Sequence, residues 1–334
     1  MSLTVVRRRG QIPESTHTVS VAVVDEGGAL VASAGNPSRV TLARSAAKPF
    51  QAVPLIDDGV VERFTMTDQE IALACASHSS ELRQVQVVSS LLERVGFEES
   101  DLACGPHDPL AESFAVPPIG ATDPEEIRPA PPSKLASNCS GKHTGMLGLA
   151  LVNDWASTNY HAIGHPVQAR AKGVFSKFTD VPIDDMAEVV DGCGVAAFGV
   201  PLDRLGLAFV RLGTGQGDAQ KRIVRAMTGC PEFVAGERRS CTEVMREFPG
   251  QVVAKVGAEG VYGVALPEQG LGVALKVEDG SAMAAMVALI AVLDALGFEA
   301  SSRQRIAPFA HLPITNTRGE TVGMIEPSGK LAFV

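Results

Sequence analysis

The sequence predicts an α/β chain of the α+β kind: one mainly antiparallel sheet built from both chain ends, flanked by helices, with a helical middle region. Three observations predict it. Short β-branched runs cluster in about residues 1–45 and 250–334, and apolar residues at helical spacing dominate about 46–249. The βαβα rhythm of a doubly wound parallel sheet is missing. The whole chain, 1–334, reads as a single domain of ordinary globular composition, 45% hydrophobic and 20% charged.

The first element is a hairpin. "THTVSVAVVDEGGALVASAG", from Thr16 to Gly35, alternates apolar residues on both sides of Asp25-Glu26-Gly27-Gly28. Helical patterns follow in "SAAKPFQAVPLIDDG", "TDQEIALACASHS" and "ELRQVQVVSSLLERVG", and resume in "GKHTGMLGLALVNDW" and "PVQARAKGVFSKFTD". A Pro-rich connector interrupts them at about 115–134. Strand signals return in "QVVAKVG", "GVYGVALPE" and "LGVALKVEDG". "SAMAAMVALIAVLDALG" is interrupted by Asp294 and too short for a bilayer, so it reads as a buried helix. "ETVGMIE" and "KLAFV" close the pattern.

The formal net charge of −9 and a pI near 5.3 argue against nucleic-acid and membrane partners and leave a small molecule as the expected one. Arg7-Arg8-Arg9 lacks a following apolar stretch, so it makes a poor signal peptide. Six cysteines without a C-x-x-C pair point to a reduced, cytoplasmic setting in which most thiols are small core residues.

Four segments can carry chemistry. In "RSAAKPFQ", Ser45 and Lys48 have S-x-x-K spacing, and Pro49 belongs in the first turn of a helix. That places Ser45 at or near the N-cap, beside free backbone N–H groups, with Lys48 on the same face as a possible base. The plainer reading is a helix cap and a solvated lysine. "ACASHSSELR" gathers serines around His78; Ser79 or Ser80 can cap the next helix, or a loop serine can serve a site. In "AKVGAEGVYG", Lys255 sits in a β-rich run and faces either solvent at a sheet edge or a cleft. Its K-x-G spelling matches the K-T-G of β-lactamases and penicillin-binding proteins, but no S-D-N element accompanies it.

The fourth segment is "SNCSGKHTGM" together with "DGCGVAAFGVPL". Ala136 and His143 break a P-loop pattern. A metal reading uses the thiolates of Cys139 and Cys193 with a nitrogen from Lys142 or His143. Residue chemistry favours His143, because an amine must lose its proton to coordinate. Two buried free cysteines beside a tight turn are the plainer alternative.

Taken in order, "RSAAKPFQ", "CASHSSE", "NCSGKHTGM", "DGCGV" and "AKVGAEGVYG" resemble the rhizobial-type, asparaginase II-like L-asparaginases. These are related in fold to serine β-lactamases and glutaminases. The resemblance implies a homodimeric amidohydrolase that converts L-asparagine to L-aspartate and ammonia. It also implies two Ser-Lys pairs, Ser45 with Lys48 and Ser77 with Lys255, and a zinc site of Cys139, Lys142 and Cys193 completed by water. Arg44, His143 and Asp191 then lie on the substrate side. Ser45 is expected as the nucleophile, Lys48 as its base, and Ser77 and Lys255 as relay and electrostatic support. A proline is usual soon after "DGCGV" in that family, where this chain has Ala196. Other readings are a penicillin-binding or β-lactamase-like acyl hydrolase, and a non-catalytic zinc- or amino-acid-binding protein.

Overall fold

The structure, a computed structural model, describes residues 2–110 and 123–334, so the connector read at 115–134 lies partly outside the described residues. The strands are β1 (Leu3–Arg9), β2 (Ile12–Asp25), β3 (Leu30–Ala34), β4 (Val40–Leu42), β5 (Ala187–Val190), β6 (Ala196–Pro201), β7 (Val253–Gly257), β8 (Val261–Leu266), β9 (Leu271–Val277), β10 (Leu312–Thr315), β11 (Thr321–Gly329) and β12 (Ala332–Phe333). The helices are α1 (Lys48–Asp57), α2 (Val60–Arg63), α3 (Asp68–Ala74), α4 (Leu82–Val95), α5 (Ser140–Val152), α6 (Pro166–Thr179), α7 (Leu202–Thr214), α8 (Asp218–Gly229), α9 (Pro231–Val234), α10 (Ser240–Glu247), α11 (Ala282–Ala295) and α12 (Ala307–Ala310).

The main sheet runs β10-β11-β1-β2-β9-β8-β7, with β3 on β2 and β12 on β3, and its pairings are antiparallel. The expected α+β architecture is therefore present, with both chain ends in one sheet. The 14-residue β2 is its axis. Its first half pairs with β1 and its second half with β3, while β9 lies on the other side. Val19–Val24 of β2 are all buried, which requires cover on both faces, because successive side chains point to opposite sides. Helices α7 and α11 pack on the sheet. Helix α11 is the stretch read as a buried apolar helix, capped by the Ser281 hydroxyl, which accepts from the Ala284 N–H.

One feature departs from the expected helical middle. Strands β5 and β6 lie within it and join β4 in a second, three-stranded sheet. These strands are short and flank "DGCG", so their alternating pattern spans too few residues to register against neighbouring helices. Elsewhere the middle is helical as read. Phe50 of α1 anchors it, its ring 5.4 Å from Phe175, 5.2 Å from Phe178 and 5.3 Å from Phe209 of α7. That cluster ties α1, and the residues at its start, to the helix lying on the main sheet.

Candidate active site

The chain enters the site from β4. The Ala43 N–H donates to Phe198 O in β6 at 2.9 Å, and Arg44 then takes a left-handed conformation with φ 50°. A bulky residue in that region stores backbone strain, which the surrounding structure must hold. A 3-10 turn spans Arg44–Ala47, and α1 begins at Lys48 with Pro49 in its first turn. The N-cap position of α1 is therefore Ala47, not Ser45. Ser45 sits inside the preceding turn, because the helix opens with the tighter geometry that commonly precedes an α-helix.

Gly257 permits this placement. A Cβ there would lie 2.7 Å from Ala43 O, so only glycine lets β7 approach the Ser45 turn this closely. Lys255 and Gly257 lie two residues apart on β7 and share one face of the strand. The K-x-G spelling thus combines an inward lysine with room for the serine turn beside it.

Lys48 and Lys255 converge on Ser77. Lys48 Nζ donates to Ala76 O at 2.5 Å, Ser77 Oγ at 3.1 Å and Asn138 O at 3.5 Å. Lys255 Nζ donates to Ser77 Oγ at 3.1 Å and Val256 O at 2.8 Å. All three side chains are buried, Lys255 fully. Burial pushes Lys255 down to about 7, with the charges of Lys48 and Arg239 adding to the effect against the thiol of Cys241. The Ser77 backbone is fixed at both ends: its N–H donates to Val234 O at 2.9 Å, and its O accepts from Arg239 Nη1 at 2.7 Å.

The serines after Ser77 are not caps. Glu81 is the N-cap of α4, in a capping box with Gln84. The Ser79 hydroxyl instead donates to Ala235 O at 2.9 Å, and the Ser80 hydroxyl to Ala136 O at 2.6 Å. His78 accepts from the Ser80 N–H through Nδ1 at 3.1 Å, so its Nε2 is the donor to Ser140 Oγ at 2.9 Å. Burial, and then the Lys48 charge, push His78 down to about 3, which keeps this brace between the Ser77 loop and α5 neutral.

A cleft of about 240 Å³ adjoins the buried trio through Asn138, which lines it and whose carbonyl accepts from Lys48. Arg44, Ser45, His107, Asn138, Cys139, Asp191, Cys193 and Ala258 are among its lining residues. Arg44 Nε donates to Asp191 Oδ1 at 2.8 Å, and the same oxygen accepts the Gly192 N–H at 2.7 Å. The "DGCG" turn closes with the Gly194 N–H donating to Asp191 O at 2.9 Å, at a φ of 91° that favours glycine. Ala196, where a proline is usual in the resembled family, uses its N–H to donate to Gln168 Oε1 at 3.2 Å. A proline has no such donor, so this chain anchors the turn by a different means.

Cys139, the N-cap residue of α5, and Lys142, in its first turn, face Cys193 from the opposite wall. Lys142 Nζ donates to Cys193 Sγ at 3.0 Å. Cys193 is held well below the ordinary thiol range, first by a hydrogen bond from Cys139 and then, against burial, by the Lys142 cation. Burial opposes the charge on Lys142, and the two thiols outweigh it and raise its affinity for the proton. Two soft sulfur donors and one amine fit a tetrahedral zinc ion with one open position, provided Lys142 gives up its proton. Among the described residues no three His, Cys, Asp or Glu side chains converge as metal ligands, so any metal here depends on the lysine.

His143 Nδ1 lies 2.7 Å from Tyr160 Oη. Burial pushes His143 down to about 4. His107, Asn138, Tyr160 and Arg239 were not singled out from the sequence. His107 Nε2 accepts the Asn138 N–H at 2.8 Å, and its Nδ1 donates to Asp108 O at 2.6 Å, tying "GPHD" to the start of the α5 segment. A histidine in an irregular loop leaves no periodic signal. Asn138 lay inside "SNCSGKHTGM", and its role rests on a backbone carbonyl, which any residue possesses.

The profile of the L-asparaginase II family matches residues 5–327. The chain belongs to the L-asparaginase II family. The family is named for an asparaginase, an amidohydrolase. Crystal structures of a protein named Mglu are similar to this chain. The native form is 15% identical, with a TM-score of 0.44 over 85% of this chain and 66% of that one. The glutamate form is 15% identical, with a TM-score of 0.44 over 86% and 62%. The chain thus spans less than two thirds of the length of those structures. Comparison with curated proteins returned no match. Among the described residues, no helix is long and apolar enough to cross a membrane.

Proposed function

We propose that the chain is an L-asparagine amidohydrolase that works by Ser-Lys catalysis. The observation that carries this reading is the Ser77 hydroxyl held between two buried lysine amines, 3.1 Å from each, with a cleft lined by Ser45 adjoining them through Asn138. Two ammonium groups that close disfavour each other, so one amine is available as a base near neutral pH. Ser45, facing the cleft, attacks the side-chain amide carbon of asparagine. Its proton passes by way of Lys48 and Ser77 toward Lys255. The C–N bond then breaks, and the departing nitrogen takes a proton and leaves as ammonia. Water cleaves the resulting β-aspartyl ester, releasing L-aspartate and restoring the Ser45 hydroxyl.

The Arg44–Asp191 pair suits a zwitterion: the guanidinium can take the α-carboxylate and the carboxylate the α-ammonium. In this reading Cys139, Lys142 and Cys193 hold zinc, which supplies a fixed positive charge that orders the "DGCG" wall. The chain acts as one unit, as a homodimer in the cytoplasm; sedimentation analysis measures the assembly. Ammonia release from asparagine and glutamine tests the activity. Ser45→Ala and Lys48→Met are each expected to lower kcat by about 10³-fold, as removal of a nucleophile or its base does. Full activity in both variants rejects the mechanism.

A further inference from the structure

We infer that Tyr160 holds His143 in its Nε2–H tautomer, so that the imidazole serves the site as a hydrogen-bond donor and is kept from binding metal. The assignment follows from counting protons. Tyr160 Oη accepts the backbone N–H of Ala103 at 2.9 Å, and a backbone N–H can only donate. The second neighbour of that oxygen is His143 Nδ1, at 2.7 Å. If Nδ1 carried a proton, the phenol would accept twice and its own buried hydrogen would have no partner. With Nδ1 bare, each of the three groups makes one complementary bond.

The surroundings favour the same state. An imidazolium would carry a proton on Nδ1 as well, so the same two contacts of Tyr160 Oη require a neutral O–H and a neutral imidazole. The proton of a neutral imidazole with a bare Nδ1 must sit on Nε2. That atom is buried and makes no hydrogen bond of ordinary geometry among the described residues, while the Cys193 sulfur lies close enough to the ring to accept a weak one. A protonated Nε2 can donate to the Cys193 sulfur or to a substrate oxygen, but it offers no lone pair to a metal. With Nδ1 committed to Tyr160, neither ring nitrogen is open for coordination, which leaves the amine of Lys142 as the nitrogen donor beside the thiols. Tyr160 is thus a positioning residue, acting through His143.

The inference builds on the substrate-side reading of His143, but its test needs no turnover, so it can fail while asparagine hydrolysis stands. The full chain is labelled with ¹⁵N-histidine, and its ring ¹H–¹⁵N spectra are recorded near neutral pH in metal-free and zinc-loaded forms. His143→Gln assigns the signals by removing them. A bare Nδ1 and a protonated Nε2 are expected in both forms. Tyr160→Phe should turn the single tautomer into a mixture, which loss of packing alone does not produce. A protonated Nδ1, loss of the Nε2 proton on zinc loading, or an unchanged tautomer in Tyr160→Phe each overturns the inference. If Tyr160→Phe does not fold, coupling between the Tyr160 hydroxyl proton and Nδ1 in wild type supports it, and a proton bonded to Nδ1 overturns it.

Discussion

Lys255 shows how one residue can be costly to the fold and, in the proposed mechanism, useful to the chemistry. Its ammonium is buried, and burial, reinforced by Lys48 and Arg239, pushes it down to about 7 from a usual value of 10.5. Between those values the unfolded chain binds more protons than the folded one, so this group makes stability rise as pH rises from about 7 toward 10.5. Lys255→Met should therefore be more stable than wild type at pH 6, with a smaller gain on going to pH 10; thermal melts at both values measure it. Activity should follow the neutral amine. In wild type kcat/KM is expected to rise through about pH 7, and in Lys255→Met it should fall by about 10²-fold or more. A flat profile across that range in wild type removes Lys255 as the final proton acceptor of the relay. His78 has the same sign of slope in a lower window: its folded value near 3 means that stability is lost as pH falls from about 6.5 toward 3.

At the scale of elements, the site is where separately built pieces touch. The 3-10 turn before α1 supplies Ser45, the loop after α3 supplies Ser77, β7 supplies Lys255, and the β5–β6 turn supplies Asp191 and Cys193. Contact between β7 and the Ser45 turn depends on the missing side chain at Gly257, whose Cβ would sit 2.7 Å from Ala43 O. Gly257→Ala should move that turn without unfolding β7, since Gly257 has φ outside the left-handed region. We expect kcat to fall by about 10²-fold, the typical effect of displacing a catalytic group by about 1 Å. The denaturation midpoint should shift far less than the activity; an unaltered kcat would mean that the turn is not held by this contact. The strands that flank "DGCG" were hidden in the sequence for a physical reason. Four and six residues of sheet, paired only with each other and with the three-residue β4, are stabilised by partners distant along the chain rather than by local periodicity.

Across the whole molecule, the thiol-amine cluster joins two walls that are more than fifty positions apart, Cys139 and Lys142 on α5 and Cys193 between β5 and β6. A zinc ion there would cross-link them, so binding should stabilise the folded chain as well as the site. Metal analysis is expected to give about one zinc per chain, with Cys139→Ala and Cys193→Ala each abolishing it and lowering the melting temperature of the zinc-loaded protein. Unchanged stoichiometry in both variants rejects this ligand set. The main sheet makes such a reach possible. It brings residues near both termini together through β1, β2, β9 and β11, and α7 links it to the Phe50 cluster beneath α1.

Much of this was legible in the chain alone. Alternation in Thr16–Gly35 and Gln251–Gly280 announced the strands, apolar spacing announced the middle helices, and the ordered spellings around Ser45, Ser77, Cys139, Asp191 and Lys255 announced the asparaginase II-like family. Local patterns of that kind are written in neighbouring residues. Pairing across distance is not: spacing linked Lys48 to Ser45, whereas its hydrogen bonds run to Ala76, Ser77 and Asn138, because the end of α3 is packed against the start of α1. The capping serines likewise turned to the carbonyls of Ala235 and Ala136, partners that only folding brings near. The low proton affinity of Lys255 belongs to the same class, since desolvation depends on everything packed around a side chain and on nothing in its own spelling.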